Sequence, residues 1–291
     1  MPDTTRIAAK FHQKAVEYDR HILVQKRVVA QLARAVELHP DHAPGQILDV
    51  GTGTGALLER LSSRYPDAGL TGVDIAFNMC RRTRQKLGTA CHAVNGAAEC
   101  LPFRTGVFDL AVSASVLQWV GDLSAALHEM HRVVRPGGDI GLAFFCDGSL
   151  GELQHCFRDA VSGCGTGNSQ KVSRLHGFWT VDDVKSIVGE MELERFVVAV
   201  ETEVDWYDDL HSLLRSIKNI GAGAVSGGSG SGLGWRGILQ ETSRLYQERY
   251  GENGRIPATY KVLYLSARKG SSSGELWRGG KRVLSPRVIT S

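Results

Sequence analysis

The sequence predicts an α/β fold: a doubly wound, mostly parallel sheet with helices on both faces. Three observations lead there. Short apolar runs alternate with stretches of helical period between residues 46 and 145. The first run, QILDV, enters a glycine-rich turn, GTGTG, that opens directly onto the helical ALLERLSSRY. Consecutive runs are too far apart for hairpins, and right-handed crossovers turn such alternation into a parallel sheet covered on both sides.

The elements follow in order. Residues 6 to 38 read as helical, with Ile7, Phe11 and Tyr18 spaced for one face, then Val24, Val28 and Leu32. They make residues 1–45 a set of lid helices, ended by the loop HPDHAPG. QILDV is the first strand and ALLERLSSRY the first helix of the main domain, 46–269. GLTGVDI and NMCRRTRQKL are the next strand and helix, and CHAVNG is a short third strand. FDLAVSA is the fourth strand. SAALHEMHRVV is a helix closed by Arg135-Pro136-Gly137-Gly138, and DIGLAFF is the fifth strand. Beyond Cys146 the alternation loosens. GSLGELQHCFRDAV and TVDDVKSIVGE read as helices, the second with Thr180 as N-cap and Asp183 three residues on. LERFVVAVETEV is a strand, DDLHSLLRSIKNIGA and GILQETSRLYQERYG are helices, and ATYKVLYLSARK is the last strand. AGAVSGGSGSGLG (222–234) reads as a mobile glycine-serine loop. The tail 270–291 has no apolar period and reads as disordered.

Charge narrows the function. The net charge is +3, and the tail alone supplies it, so residues 1–269 are neutral. A neutral body argues against general nucleic-acid binding. No apolar run reaches the roughly 18 residues that span a membrane, and no signal core is present. The cytoplasm and a monomer are the expectation. The six cysteines form no C-x-x-C pair, and they read as structural thiols of a reducing compartment. His128 and His131 lie three apart on a helix without a third ligand, so no metal is expected.

The glycine turn admits two ligands. Gly51, Gly53 and Ala56 fit a dinucleotide loop; Asp49, Gly51, Gly53 and Gly55 fit an acidic-x-G-x-G-x-G loop. A dinucleotide would bring its pyrophosphate to the helix N-terminus, and Asp49 would sit close to those anions. S-adenosylmethionine brings an ammonium instead, which Asp49 attracts. Asp74 ends the second strand, where a carboxylate takes ribose hydroxyls of either ligand.

The wider context decides for S-adenosylmethionine. LDVGTGTG, VDIAFNM, AAECLPF, FDLAVSASVLQWV and LHEMHRVVRPGG, in that order, resemble the class I S-adenosylmethionine-dependent methyltransferases from Ile47 to Phe145. The resemblance implies their Rossmann-like fold and a cofactor site made by Asp49, Gly51, Thr52, Gly53, Gly55, Asp74, Ile75, Met79, Ala97, Ala98 and Ser113. Ala97 departs from the pattern, because the family often has an acidic residue there for the adenine amino group. Backbone at Ala98 and apolar contacts are then expected to hold the ring, with Glu99 less well placed.

The flanks narrow the family. AKFHQKAVEYDRHILVQKRVVAQL, FFCDGSLGELQHCF, YDDLHSLLRSIKNIGA and RIPATYKVLYLSARK resemble the malonyl-acyl carrier protein O-methyltransferases of biotin synthesis over about residues 8–269. Departures are Ala97, the 222–234 loop and the tail. The resemblance implies esterification of the free malonyl carboxylate on a carrier protein, or on coenzyme A. Other readings stay open: methylation of a quinone ring or a small acid, or cofactor binding without catalysis. A flipped-base methyltransferase is not expected, because the N/D-P-P-aromatic motif that grips such a base is replaced by SASVLQW.

Substrate-side candidates are fewer. Tyr18 lies in the lid and is placed to address the methyl group or the carboxylate, or simply to pack. Gln118 and Trp119 follow strand four, at the strand end where open sheets place ligands. Arg215 and Lys218 share one helix face, and either suits a carboxylate; a solvated charged face is the alternative. Tyr260 heads the last strand, as pocket wall or as core. Residues 6–34 hold seven basic side chains against Glu17 and Asp19. That segment reads as a docking face for an acidic carrier protein, or as a solvated helix face.

Overall fold

The computed structural model of the chain describes residues 23–37, 43–163, 177–219 and 233–271. Tyr18, the lid residues before Leu23, the 222–232 part of the glycine-serine loop and the tail from Ser272 lie outside the described residues.

Seven strands form one sheet: β1 (Gln46–Val50), β2 (Gly69–Asp74), β3 (Cys91–Asn95), β4 (Phe108–Ala114), β5 (Val134–Phe145), β6 (Leu193–Tyr207) and β7 (Ile256–Lys269). Their order is β3-β2-β1-β4-β5-β7-β6. Strands β1 to β5 are parallel, and β7 runs antiparallel between β5 and β6. The order reverses at β1, so β1 and β4 diverge in connection and leave a crevice at their carboxyl ends.

The helices are α1 (Leu23–Glu37), α2 (Ala56–Arg64), α3 (Phe77–Leu87), α4 (Leu123–Val133), α5 (Gly151–Gly163), α6 (Val181–Gly189), α7 (Leu210–Asn219) and α8 (Leu233–Tyr250). Two apolar clusters sandwich the sheet. Val24, Val28 and Leu32 of α1 join Leu57, Leu58 and Leu61 of α2, with α5, α7 and α8, on one side. Leu123, Leu127 and Met130 of α4 and Val184 and Val188 of α6 pack on the other. The i, i+4 spacing of Val24, Val28 and Leu32 buries all three to 2 % exposure or less.

Local chemistry sets the element ends. At α6, the Asp183 N–H donates to the Thr180 hydroxyl at 3.0 Å, while the Thr180 N–H donates to the Asp183 carboxylate at 2.8 Å, closing a capping box. Arg135-Pro136-Gly137-Gly138, expected as a plain helix stop, is instead the bulged start of β5. Val134 pairs with Phe108, but the next pair is Asp139 with Leu110. Gly137 turns at φ 72°, and a Cβ on Gly138 would sit 2.8 Å from the Asp109 carbonyl, so the detour needs both glycines. It leads α4 into its strand without a separate loop.

Candidate functional site

A cavity of about 410 Å³ opens over the carboxyl ends of β1, β2 and β4. Small-molecule pockets span about 300–1,000 Å³. Its floor is the turn between β1 and α2. Gly51, Gly53 and Gly55 all take left-handed backbone, with φ of 74°, 55° and 79°. The turn curls over β2, because the Gly51 and Thr52 N–H groups donate to the Val73 carbonyl at 2.7 and 3.0 Å. Two of these glycines are forced by space as well. A Cβ on Gly51 would lie 2.3 Å from Val116, and one on Gly55 would press on Thr83 at 3.2 Å. At Gly53 a Cβ would meet no protein atom within 4 Å, so the space it faces is open.

Two carboxyl groups define the polarity. Asp49 is 2 % exposed at the end of β1, and burial pushes it up to about 7. The Thr52 hydroxyl beside it opposes that rise without a hydrogen bond of good geometry, and the nearby Asp74 adds to it. No described lysine or arginine pairs with Asp49. Asp74, at the end of β2, is raised to about 6 by burial. It is held by N–H donors from Ala76 at 2.8 Å and Gly53 at 2.9 Å, which pull the other way. A buried carboxylate without a partner is costly. The arrangement therefore suits a ligand that brings a cation to Asp49 and hydroxyl donors to Asp74.

The expected cofactor residues divide by position. Asp49, Gly51, Thr52, Gly53, Asp74, Ile75, Met79 and Ala98 line the cavity. Gly55, Ala97 and Ser113 stand behind that wall among the described residues. Gly55 closes the turn through its N–H to the Thr52 carbonyl at 2.9 Å. Ala97 bridges to Cys100. Ser113 donates to the Val50 carbonyl at 2.8 Å and ties β4 to β1. Glu99 does reach the cavity, yet its carboxylate accepts from the Gly121 N–H at 3.0 Å.

The substrate-side candidates are less gathered. Trp119 lines the cavity. Gln118 is fully buried beside it and donates to the Ser115 carbonyl at 2.9 Å, below the cavity wall. Tyr260 is buried in β7 against Phe145, ring centres 5.1 Å apart, and burial holds its hydroxyl well above the ordinary range. Arg215 is exposed on α7 and meets His211 at 2.8 Å. Lys218 lies one turn on in the same helix. Gln118, Tyr260 and Arg215 are not among the residues that line the cavity.

The structure also adds residues. Gln25, Lys26 and Val29 of α1 form one wall, and Ser115 and Val116 another. The sequence signals Val24, Val28 and Leu32 as the buried face of α1, but not which neighbour turns toward the ligand. Ser115 carries φ 58°, uncommon for a residue with a side chain.

A family model described as "Methyltransferase domain" matches residues 47–138, which contain the glycine turn and both carboxylates. A malonyl-acyl carrier protein O-methyltransferase of Geobacter sulfurreducens is 39% identical over 271 residues, 91% of this chain and 98% of that protein. The chain belongs to the malonyl-acyl carrier protein O-methyltransferase family. Its relative from Dechloromonas aromatica is 33% identical, over 92% of this chain and 95% of the other. Among solved structures, the YcgJ protein of Bacillus subtilis superposes with a TM-score of 0.57 at 17% identity, over 84% of this chain and 99% of that one. A putative methyltransferase of Bacillus halodurans gives 0.54 at 16%, over 83% and 99%. At such identities they speak for the fold alone. The matches to these two O-methyltransferases cover more than nine-tenths of the chain, well beyond the 47–138 span of the domain model.

Proposed function

We propose that the chain is an S-adenosylmethionine-dependent O-methyltransferase that esterifies the free carboxylate of a malonyl thioester on acyl carrier protein, early in biotin synthesis. The observation that carries the reading is Asp49, a buried carboxylate on the cavity floor with no described cation beside it. Asp49 would hold the ammonium of the cofactor, Asp74 its ribose hydroxyls, and Ile75, Met79 and Ala98 the adenine. When bound, the cofactor supplies an electrophilic methyl group on a sulfonium.

The chain's own residues have modest chemistry to do. A malonyl carboxylate is ionised at pH 7, so no base has to remove a proton. Attack joins an anion to a cation, and both charges diminish in the transition state. Val29, Val116, Trp119 and Val120 wall the cavity with apolar surface and keep water from stabilising the separated charges. Alignment of the two reactants supplies the rest. Tyr18, Gln118, Arg215, Lys218 and Tyr260 remain candidates on the substrate side, the first two nearest in sequence to cavity residues.

The chain acts as a monomer in the cytoplasm in this reading, and no described helix is long and apolar enough to cross a membrane. The test is methyl transfer followed by mass spectrometry on malonyl carrier protein, malonyl coenzyme A and a quinone precursor. A methyl ester on malonyl carrier protein supports the reading. Transfer to the quinone precursor alone, or to none of the three with cofactor bound, overturns it.

A further inference from the structure

Gln25 is a buried cavity residue with no part in the methyl transfer described above. It sits near the start of α1, is 6 % exposed and lines the cofactor cavity. Its Nε2 has no hydrogen-bond partner among the described residues. A buried amide donor left unmatched costs free energy that a leucine in its place would not. Such a group persists where a ligand supplies the missing acceptor.

The acceptor can be identified by elimination of charge. The cavity already presents four carboxylates: Asp49 and Asp74, which take a cation and hydroxyl donors, and Glu59 and Glu99, which are held by Lys86 at 2.6 Å and by the Gly121 N–H at 3.0 Å. An amide N–H₂ adds nothing for a cation or a hydroxyl hydrogen; it donates to an acceptor oxygen, and most strongly to one carrying negative charge. Position agrees. Helix α1 packs against α2, whose first turn follows the glycine turn and whose residues Ala56 and Leu57 line the same cavity. Gln25 and these two residues line the one cavity, as do Ile75, Met79 and Ala98. Helix N-termini favour anions, and Lys26, next to Gln25, lines that wall as well.

We propose that Gln25 is a ligand-binding residue whose amide donates to a carboxylate in the active cavity. The inference rests on the methyltransferase reading above. Two carboxylates fit the chemistry: that of the cofactor's methionine portion and that of the malonyl substrate. The first would lie beside the ammonium at Asp49.

The experiment uses the full chain with Gln25→Leu and Gln25→Glu. Calorimetry is run with S-adenosylhomocysteine and with its decarboxylated analogue, which keeps the ammonium. Wild-type protein must bind S-adenosylhomocysteine; failure there sinks the methyltransferase reading and this inference with it, whereas the variants test the inference alone. If Gln25 holds the cofactor carboxylate, Gln25→Leu loses about tenfold in affinity for S-adenosylhomocysteine, the size of one charge-assisted bond, and Gln25→Glu, which sets two carboxylates together, loses more. The affinity of Gln25→Leu for the decarboxylated analogue stays the same. If Gln25 holds the malonyl carboxylate, S-adenosylhomocysteine binding is unchanged and KM for malonyl carrier protein rises about tenfold at constant kcat. In both cases the ligand-free Gln25→Leu protein melts no lower than wild type, because a desolvated amide has been removed. Unchanged binding and unchanged KM would overturn the proposal. So would equal losses on both calorimetric ligands together with a lowered melting temperature, which describe a packing residue.

Discussion

Asp49 sets the pH behaviour of the ligand-free protein. Its carboxyl is raised from 3.8 to about 7 by burial. The folded state therefore holds a proton that the unfolded state has lost between those values. Stability from this group is full below pH 4 and is lost as pH rises through 7, by about 4 kcal/mol at most. Asp49→Asn should accordingly raise the melting temperature of the ligand-free protein by several degrees at pH 8 and leave it nearly unchanged at pH 4. The same variant should lose most of its affinity for S-adenosylhomocysteine, because the amide carries no charge for the ammonium. Thermal melts and calorimetry read both effects, and a lower melting temperature at pH 8 would contradict the account. In wild type, affinity should climb as pH rises from 5.5 to 7.5, since Asp49 at about 7 and Asp74 at about 6 must both ionise to act as anions. A flat calorimetric profile would remove Asp49 from the ammonium site. Asp74→Ala should weaken cofactor binding by about 1.5–3 kcal/mol, the loss of one charge-assisted bond. It should also loosen the glycine turn, because the Gly53 N–H then has no carboxylate to donate to. Isothermal titration reports the first effect and amide exchange at Gly53 the second.

At the scale of elements, the junction of β1 with α2 is the least tolerant point. Gly51 combines φ 74° with Val116 at 2.3 Å from a notional Cβ. Gly51→Ala should cost several kcal/mol, from left-handed strain and overpacking together. Val116→Ala removes both γ-methyl groups and leaves the Val116 Cβ contact at 2.8 Å. The double variant should therefore regain part of the stability and not all of it. A double variant no more stable than Gly51→Ala would contradict a contribution from the γ-methyl clash; denaturant titration reads the difference. The sequence made this junction legible, since glycine spacing and Asp49 position are local facts. It did not make the start of β5 legible. The bulge at Arg135–Gly138 exists because β4 lies alongside, with Asp109 accepting from the Gly45 and Gln46 N–H groups and pairing with Arg135 at 2.6 Å. Long-range partners of that kind leave no periodic trace. Gln25 escaped for the same reason: the period of α1 announces the residues facing the core, whereas the ligand wall is set by where α1 crosses α2.

For the whole molecule, charge is the property most open to test. Arg27, counted in the basic excess of residues 6–34, is bound to Glu203 at 2.6 Å and Asp205 at 2.7 Å. It ties α1 to β6 and is not available to an approaching carrier protein. A docking face would then rest on the other six, Lys10, Lys14 and Arg20 among them, and these three lie outside the described residues. Reversing those three to Glu should raise KM for malonyl carrier protein, with the difference shrinking at high salt. KM for malonyl coenzyme A should change little, since that substrate lacks the protein surface. Steady-state kinetics on both substrates decides, and equal losses would point to damaged lid packing instead.

The place of β7 has a consequence in time. It is the last of the seven strands to leave the ribosome, yet it lies inside the sheet, between β5 and β6. Until Ile256–Lys269 emerges, β6 has no neighbour at all and β5 has an open edge. The half of the sheet from β3 to β5 can assemble as it is made, complete with the turn at Gly51–Gly55. The rest waits for the final insertion, a closure between residues more than a hundred positions apart for β5 and β7 and slow for that reason. A nascent chain arrested before Ile256 should therefore expose sticky strand edges and recruit chaperones. A chain released a few residues past Lys269 should fold within the time its last strand needs to find the gap.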